Sequence, residues 1–218
     1  MTCWFKGTAV AGLLLGFGAM ALLNAAADAE PGVFDDRIVF GQSAAFDGPA
    51  AAHGLGMREG ILAAFNEAHA AGGVSGHKLE LVTYDDSYEP EKAIANTKRL
   101  IDEDKVFALV GEVGTPTSNA VQPITTEKGA PFIGPFTGAA FLRNPSLRNV
   151  INVRGSYDQE TEAWIEHLTK DLGISRIAIL YQDDTFGRDG LSGVTKAMER
   201  RGMKLVAEGT YERNTTAV

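Results

Sequence analysis

The sequence predicts an α/β protein built on parallel sheet. Short apolar runs of strand length alternate with amphipathic stretches of helix length along most of the chain. Each apolar run stops at a turn of glycine, hydroxyl or acidic residues, where a strand would hand over to a helix. The rhythm breaks near Arg154-Gly155-Ser156-Tyr157-Asp158 and then restarts, so a second α/β unit is expected after the first.

In order, Ile38-Val39-Phe40-Gly41 is the first strand. A small-residue loop from Gln42 to Gly54 follows, turning at Asp47-Gly48-Pro49, and leads into a helix with Met57, Ile61 and Phe65 at four-residue spacing. Gly72-Gly73 ends that helix. The second strand, Leu79 to Tyr84, stops at Asp85-Asp86, and Pro90 opens a helix with an inward stripe of Ala93, Thr97, Leu100 and Ile101. Val106 to Val110 is a third, buried strand. After a glycine turn, Thr115 reads as N-cap and Pro116 as the first residue of a helix that turns Val121 and Ile124 inward. Phe132-Ile133 and Val150 to Val153 are the fourth and fifth strands. In the second unit a helix carries Trp164, Leu168 and Leu172. A strand from Arg176 to Tyr181 ends at Gln182-Asp183-Asp184, a helix buries Leu191, Val194 and Met198, and Leu205-Val206-Ala207 is the last strand.

The two ends are expected to differ from this pattern. Lys6, an apolar run from Thr8 to Leu23 and the small-x-small site Ala27-Asp28-Ala29 make residues 1–29 a cleavable secretory signal peptide, shorter than a membrane span. Asn214 to Val218 reads as an N-cap and a first helical turn. Two strands would leave the second unit's sheet edge and faces uncovered, so the chain is expected to be a fragment of a longer protein.

The 218 residues are 44% hydrophobic and 22% charged, an ordinary globular balance. The net charge is −8, and loss of residues 1–29 removes one cation, Lys6, and one anion, Asp28, leaving it unchanged. That charge and the lack of any basic run argue against nucleic acid and anionic lipid as partners. Cys3, the only cysteine, leaves with the signal, so no disulfide, thiol nucleophile or cysteine metal site is expected. The four histidines show no zinc spacing, and no metal or cofactor is expected. No G-x-S-x-G elbow or phosphate-binding glycine loop is present, and Gly54-Leu55-Gly56 fails the dinucleotide fingerprint at Glu59. Asp85-Asp86 and Asp183-Asp184 are acids suited to a metal or a phosphoryl group, but turn formation and helix capping account for them more simply.

The stretch from Gly111 to Gly138 carries the main functional hypothesis. Two adjacent parallel strands end there in hydroxyls, glycines and backbone groups, including a helix start with Thr117 and Ser118 beside Thr115. Such an end attracts an anion, and a small carboxylate is the hypothesis. Simple capping by Thr115 and turning by the glycines would give the same pattern.

Taken together, the signal, the element order and five stretches resemble the type I periplasmic solute-binding proteins of ABC transporters, most closely the branched-chain amino-acid (leucine/isoleucine/valine) group. The stretches are Ile38 to Gly54, Gly72 to Asp86, Gly111 to Ser118, Gly134 to Gly138 and Tyr181 to Gly187. The resemblance implies an α/β fold of two lobes with doubly wound parallel sheets, the second lobe truncated. Residues 30–155 would form the N-terminal lobe and 156–218 the first part of the second. It implies a periplasmic, non-enzymatic protein that captures a carboxylate-bearing solute between its lobes. The partners implied are ABC permease subunits, with no membrane insertion after signal cleavage. A ligand-sensing domain of a receptor on the same fold is the alternative. The ligand site implied is His53, Gly114, Thr115, Phe136, Thr137, Gly138 and Phe186, with Thr115 and the Phe136–Gly138 backbone on the carboxylate. Amino-acid binders of the group often carry threonine where this chain has Gly138, and tyrosine where it has His53 and Phe186, so an organic acid fits the departures as well as an amino acid does.

Overall fold

The computed structural model describes residues 1–2 and 30–215. The signal segment expected up to residue 29, apart from its first two residues, and the end of the predicted terminal turn lie outside the described residues.

Twelve elements build two parallel sheets: β1 (Arg37–Ala44), α1 (Ala51–Ala70), β2 (Lys78–Asp85), α2 (Pro90–Asp102), β3 (Ala108–Val110), α3 (Thr115–Glu127), β4 (Phe132–Ile133), β5 (Val150–Ile151), α4 (Tyr157–Glu166), β6 (Ala178–Gln182), α5 (Thr185–Glu199) and β7 (Ala207–Tyr211). The first sheet runs β2-β1-β3-β4-β5 and the second pairs β6 with β7, every pair parallel. Chain order reverses between β1 and β3, and a crevice opens at such a switch point, beyond the strand C-termini.

Side chains alternate across the first sheet. Val39 and Leu109 join Ala93, Leu100, Val121 and Phe132 in a core closed by α2 and α3. On the opposite face Phe40 meets Phe65 of α1 at 5.3 Å and Phe107 at 5.8 Å. The second core is smaller, with Ile165 of α4 against Val194, Ala197 and Met198 of α5 and Ile177 beside β6.

Two expectations in the second unit fail for identifiable reasons. The buried face of α4 is Thr161 and Ile165, with Leu168 packed alongside, whereas Trp164 and Leu172 are 58% and 56% exposed. Ser156 fixes where α4 starts through a capping box with Gln159. Gly193 of α5 approaches so closely that a methyl group there would lie 2.4 Å from the Thr161 hydroxyl. That contact admits only a compact side chain and turns Trp164 away. The last strand is Ala207–Tyr211 rather than Leu205–Ala207. Leu205 packs on the core just before the ladder, and the paired residues lie along a largely solvated edge, so they carry no apolar signal.

Candidate functional site

A cleft of about 700 Å³ lies beyond the C-terminal end of β3 and beside β6 and is lined from both units. The two units deliver rings into it by the same device. Gly54, in the first turn of α1, would place a Cβ 1.9 Å from the Ala45 carbonyl oxygen. Gly187, in the first turn of α5, would place one 1.9 Å from the Gln182 carbonyl oxygen. Only glycine permits either helix to sit so close to the strand that feeds it. The residue before each glycine, His53 and Phe186, then lines the cleft.

At the floor, α3 begins one residue earlier than expected. Gly114, at φ +109°, is the N-cap, and Thr115 is the first helical residue. The Thr115 hydroxyl is therefore free of capping and lies 2.7 Å from the Thr137 hydroxyl. The Tyr157 hydroxyl sits 3.2 Å from each, and the Ala139 N–H donates to Thr137 Oγ1 at 3.2 Å. Both threonines are buried, at 1% and 0% exposure, so Tyr157 is the half-buried member of this hydroxyl cluster. The hydroxyls of Thr117 and Ser118 do not reach the cleft: both residues are fully buried, and Thr117 donates to the Val113 carbonyl at 2.7 Å. The Phe136 and Thr137 N–H groups are also engaged, donating to the carbonyls of Glu112 at 2.7 Å and Pro135 at 2.8 Å. Gly138 is buried behind the Tyr157 ring.

Of the expected site residues, His53, Gly114, Thr115, Phe136 and Phe186 line the cleft, while Thr137 and Gly138 lie behind it. His53 and Phe136 have ring centroids 5.9 Å apart, and Tyr157 and Phe186 5.6 Å. The Arg154 guanidinium stands 5.1 Å from the Phe136 ring centre and 5.5 Å from that of Tyr157, and it is ion-paired with Glu160.

The acidic pairs serve the backbone. Asp85 accepts from the Phe46 N–H at 2.7 Å and from the Ser87 N–H and hydroxyl at 3.1 and 2.7 Å. Partial burial opposes its charge, but those donors prevail and hold its pKa below the usual value. Asp86 is fully buried, accepts from the Ser43 hydroxyl and the Tyr88 N–H, both at 2.8 Å, and is pushed up to about 6 by burial. The two acids brace a turn in which Ser87 and Tyr88 both adopt positive φ, 50° and 61°. That turn lays the Tyr88 ring against Gly114, where a Cβ would be 2.1 Å from Tyr88 Cε2. Asp184 caps α5, accepting from the Phe186 N–H at 2.9 Å, and Asp183 pairs with Arg188. Among the described residues no group of three or more His, Cys, Asp and Glu side chains is placed to hold a metal ion, and no helix is long and apolar enough to cross a membrane.

Comparison with known proteins follows this geometry. The family model described as periplasmic binding protein matches residues 37–218. The chain belongs to the periplasmic binding protein family. An amino acid binding protein of Pseudomonas aeruginosa is 29% identical over 170 residues, 78% of this chain and 45% of the relative. The leucine-, isoleucine-, valine-, threonine-, and alanine-binding protein of the same organism is 27% identical over 194 residues, 88% and 51% of the two chains. A solved structure of a possible leucine/isoleucine/valine-binding protein from Rhodopirellula baltica superposes with a TM-score of 0.79 at 42% identity, covering 84% of this chain and 50% of that one. The chain thus spans about half the length of the curated relatives it matches.

In this periplasmic binding protein the residues that sequence reasoning missed are Tyr157, Arg154, Tyr88 and Trp164, all lining the cleft. The first two lie in the segment recognised only as a break between units. The capping signal Ser156-x-x-Gln159 would have placed Tyr157 at the first turn of a helix, facing back toward the first sheet.

Proposed function

We propose that this periplasmic binding protein is the solute-capturing component of an ABC importer, exported to the periplasm, that holds a small carboxylate between two α/β lobes and passes it unchanged to a membrane permease. The observation that carries the reading is the floor of the cleft. There the start of α3 and the Thr115–Thr137–Tyr157 hydroxyl cluster converge beneath an otherwise ring-lined space. A helix start supplies N–H groups without intrahelical partners and a favourable dipole for an anion. Hydroxyls that bond one another without a ligand can rotate a proton toward a carboxylate oxygen. Arg154, ion-paired with Glu160, brings its guanidinium donors into the same lining.

Support also comes from the relatives, which carry names for binding amino acids. The roles of His53, Phe136, Tyr157 and Phe186 are to sort the remainder of the ligand by shape. Residues 30–155 act as the N-terminal lobe and 156–218 as the first part of the second.

A thermal-shift screen of the full mature chain against carboxylates and their primary amides tests this. A ligand that binds the folded state raises the melting temperature. The expected result is a rise with at least one carboxylate, little with its amide, and recovery of the acid chemically unchanged. A panel in which amides and acids perform alike removes the anion site.

A further inference from the structure

We propose that the Tyr88 hydroxyl donates to the bound carboxylate and that Gln182 of the second unit aims it, so that the hold on the acid depends on both units. This deepens the proposed function and rests on it. Two groups of observations lead there.

The first concerns where the ring lies. Tyr88 stands in the turn after β2 and lines the cleft. Its backbone sits at φ +61°, held by the Asp86 side chain, which accepts from its N–H at 2.8 Å. A tyrosine adopts that conformation only where its surroundings enforce it, and such strain collects where a side chain must be aimed. Here it aims the ring at the cleft floor. A Cβ on Gly114 would lie 2.1 Å from Tyr88 Cε2 and 2.8 Å from Tyr88 Cδ2. Cε2 is bonded to the carbon that bears the hydroxyl. The polar end of the ring therefore reaches the N-cap of α3, one residue before Thr115, in space that only glycine leaves open.

The second concerns which way the hydroxyl points. A phenol has one proton to give and an oxygen that also accepts. Gln182, at the end of β6, hydrogen-bonds to Tyr88 and favours its ionised form, as a donor to the phenol oxygen does. The Gln182 amide nitrogen also donates to Asp184 at 2.5 Å, which fixes the direction of the carboxamide. Asp184 pairs with Arg213 at 3.3 Å, and that guanidinium stands 5.7 Å from the Tyr88 ring centre. All three partners belong to the second unit. With its oxygen engaged by Gln182, the phenol turns its own proton away from that residue and into the cleft. Burial, reinforced by the nearby Asp184 and Tyr157, pushes its pKa well above the usual value, so the proton stays in place. A carboxylate at the start of α3 then receives the Tyr88 proton beside those of Thr115 and Tyr157. Parting the units removes Gln182 and with it the aim.

The test is isothermal titration of the full mature chain with hexanoate, benzoate and L-leucine, following whichever binds tightest. Tyr88→Phe keeps the ring on Gly114 and removes only the donor. It should weaken that acid by at least about tenfold, as loss of a hydrogen bond to a charged group does, and leave the urea midpoint unchanged. Gln182→Leu should weaken the same acid by at least about threefold. The double variant should bind no more than about twofold weaker than Tyr88→Phe alone, because a residue that acts through the hydroxyl adds nothing once the hydroxyl is gone. If Tyr88→Phe costs less than that, if Gln182→Leu is silent, or if the two losses multiply, the inference is overturned and the carboxylate-binding function stands. If none of the three acids binds, the proposed function itself falls, and this inference with it.

Discussion

Glu112 and Asp86 are buried carboxyls, 1% and 0% exposed, just past the C-terminal ends of β3 and β2. Burial pushes Glu112 well above the ordinary range, the Asp86 charge adds to the rise, and Glu112 Oε1 has no hydrogen-bond partner. Burial of this kind favours the neutral, protonated carboxyl over the charged form. Glu112→Gln should therefore change stability at pH 7 by less than about 1 kcal/mol and increase it in alkaline buffer, measured by urea unfolding. Asp86 titrates in a different window. Its folded-state value of about 6 lies above the ordinary ~3.9, so between those pH values the folded protein holds a proton that the unfolded chain has released. Its stabilising contribution is complete below about pH 4 and is lost as pH rises through 6, on the order of 3 kcal/mol in all. Asp86→Asn should flatten the pH dependence of the urea midpoint across that interval relative to the parent. At the floor of the cleft, Thr115→Val should weaken carboxylate binding by about 1.5–3 kcal/mol, the range for a hydrogen bond to a charged group, as calorimetry would show. The importance of Thr115 was legible from its place after a buried strand and a glycine turn. Its burial beneath Tyr157 was not, because the covering residue lies forty-two positions further on and belongs to another element.

At the scale of elements, the strand–helix junctions carry the most information. Gly54 and Gly187 meet backbone oxygens, which cannot yield as a flexible side chain can. Gly54→Ala or Gly187→Ala should cost about 1–3 kcal/mol or more and displace α1 or α5 from its sheet, read as a lowered urea midpoint together with weaker ligand binding. The buried strands and the helices with a clean stripe were legible: the apolar runs of β1 and β3, and the Ala93, Thr97 and Leu100 stripe of α2, where burial and hydrophobicity coincide. They stop coinciding in the second unit. β7 is held by its ladder with β6 while Glu208 and Thr210 stay polar and exposed. The face of α4 is chosen by the small residues of α5 opposite, which periodicity within α4 cannot report.

Across the whole molecule, the two units are tied by polar contacts beside the cleft. Arg213 pairs with Glu89 at 3.0 Å and with Asp184 at 3.3 Å, and Asn214 donates to the Ser87 carbonyl at 3.0 Å and to Glu89 at 2.6 Å. Half-exposed ion pairs of this kind contribute about 0.2–1 kcal/mol. Glu89→Gln should lower apparent ligand affinity by up to about fivefold by loosening the link between the units, with the effect shrinking in high salt. Titrations at two ionic strengths would show it. The alternating pattern announced this two-unit plan. The contacts that join the units come from residues with no pattern of their own.

The matched glycine junctions make each helix start a fixed extension of its own sheet, so residues on α1 and α5 move as their sheets move. Gly56 has nothing within 4 Å of where a side chain would begin, and Ser192 is exposed. No native cysteine occurs after residue 3, so thiols placed at 56 and 192 could be tagged alone. The distance between two spin labels there would serve as a goniometer for the jaws, reading their angle with the mouth empty and with it full.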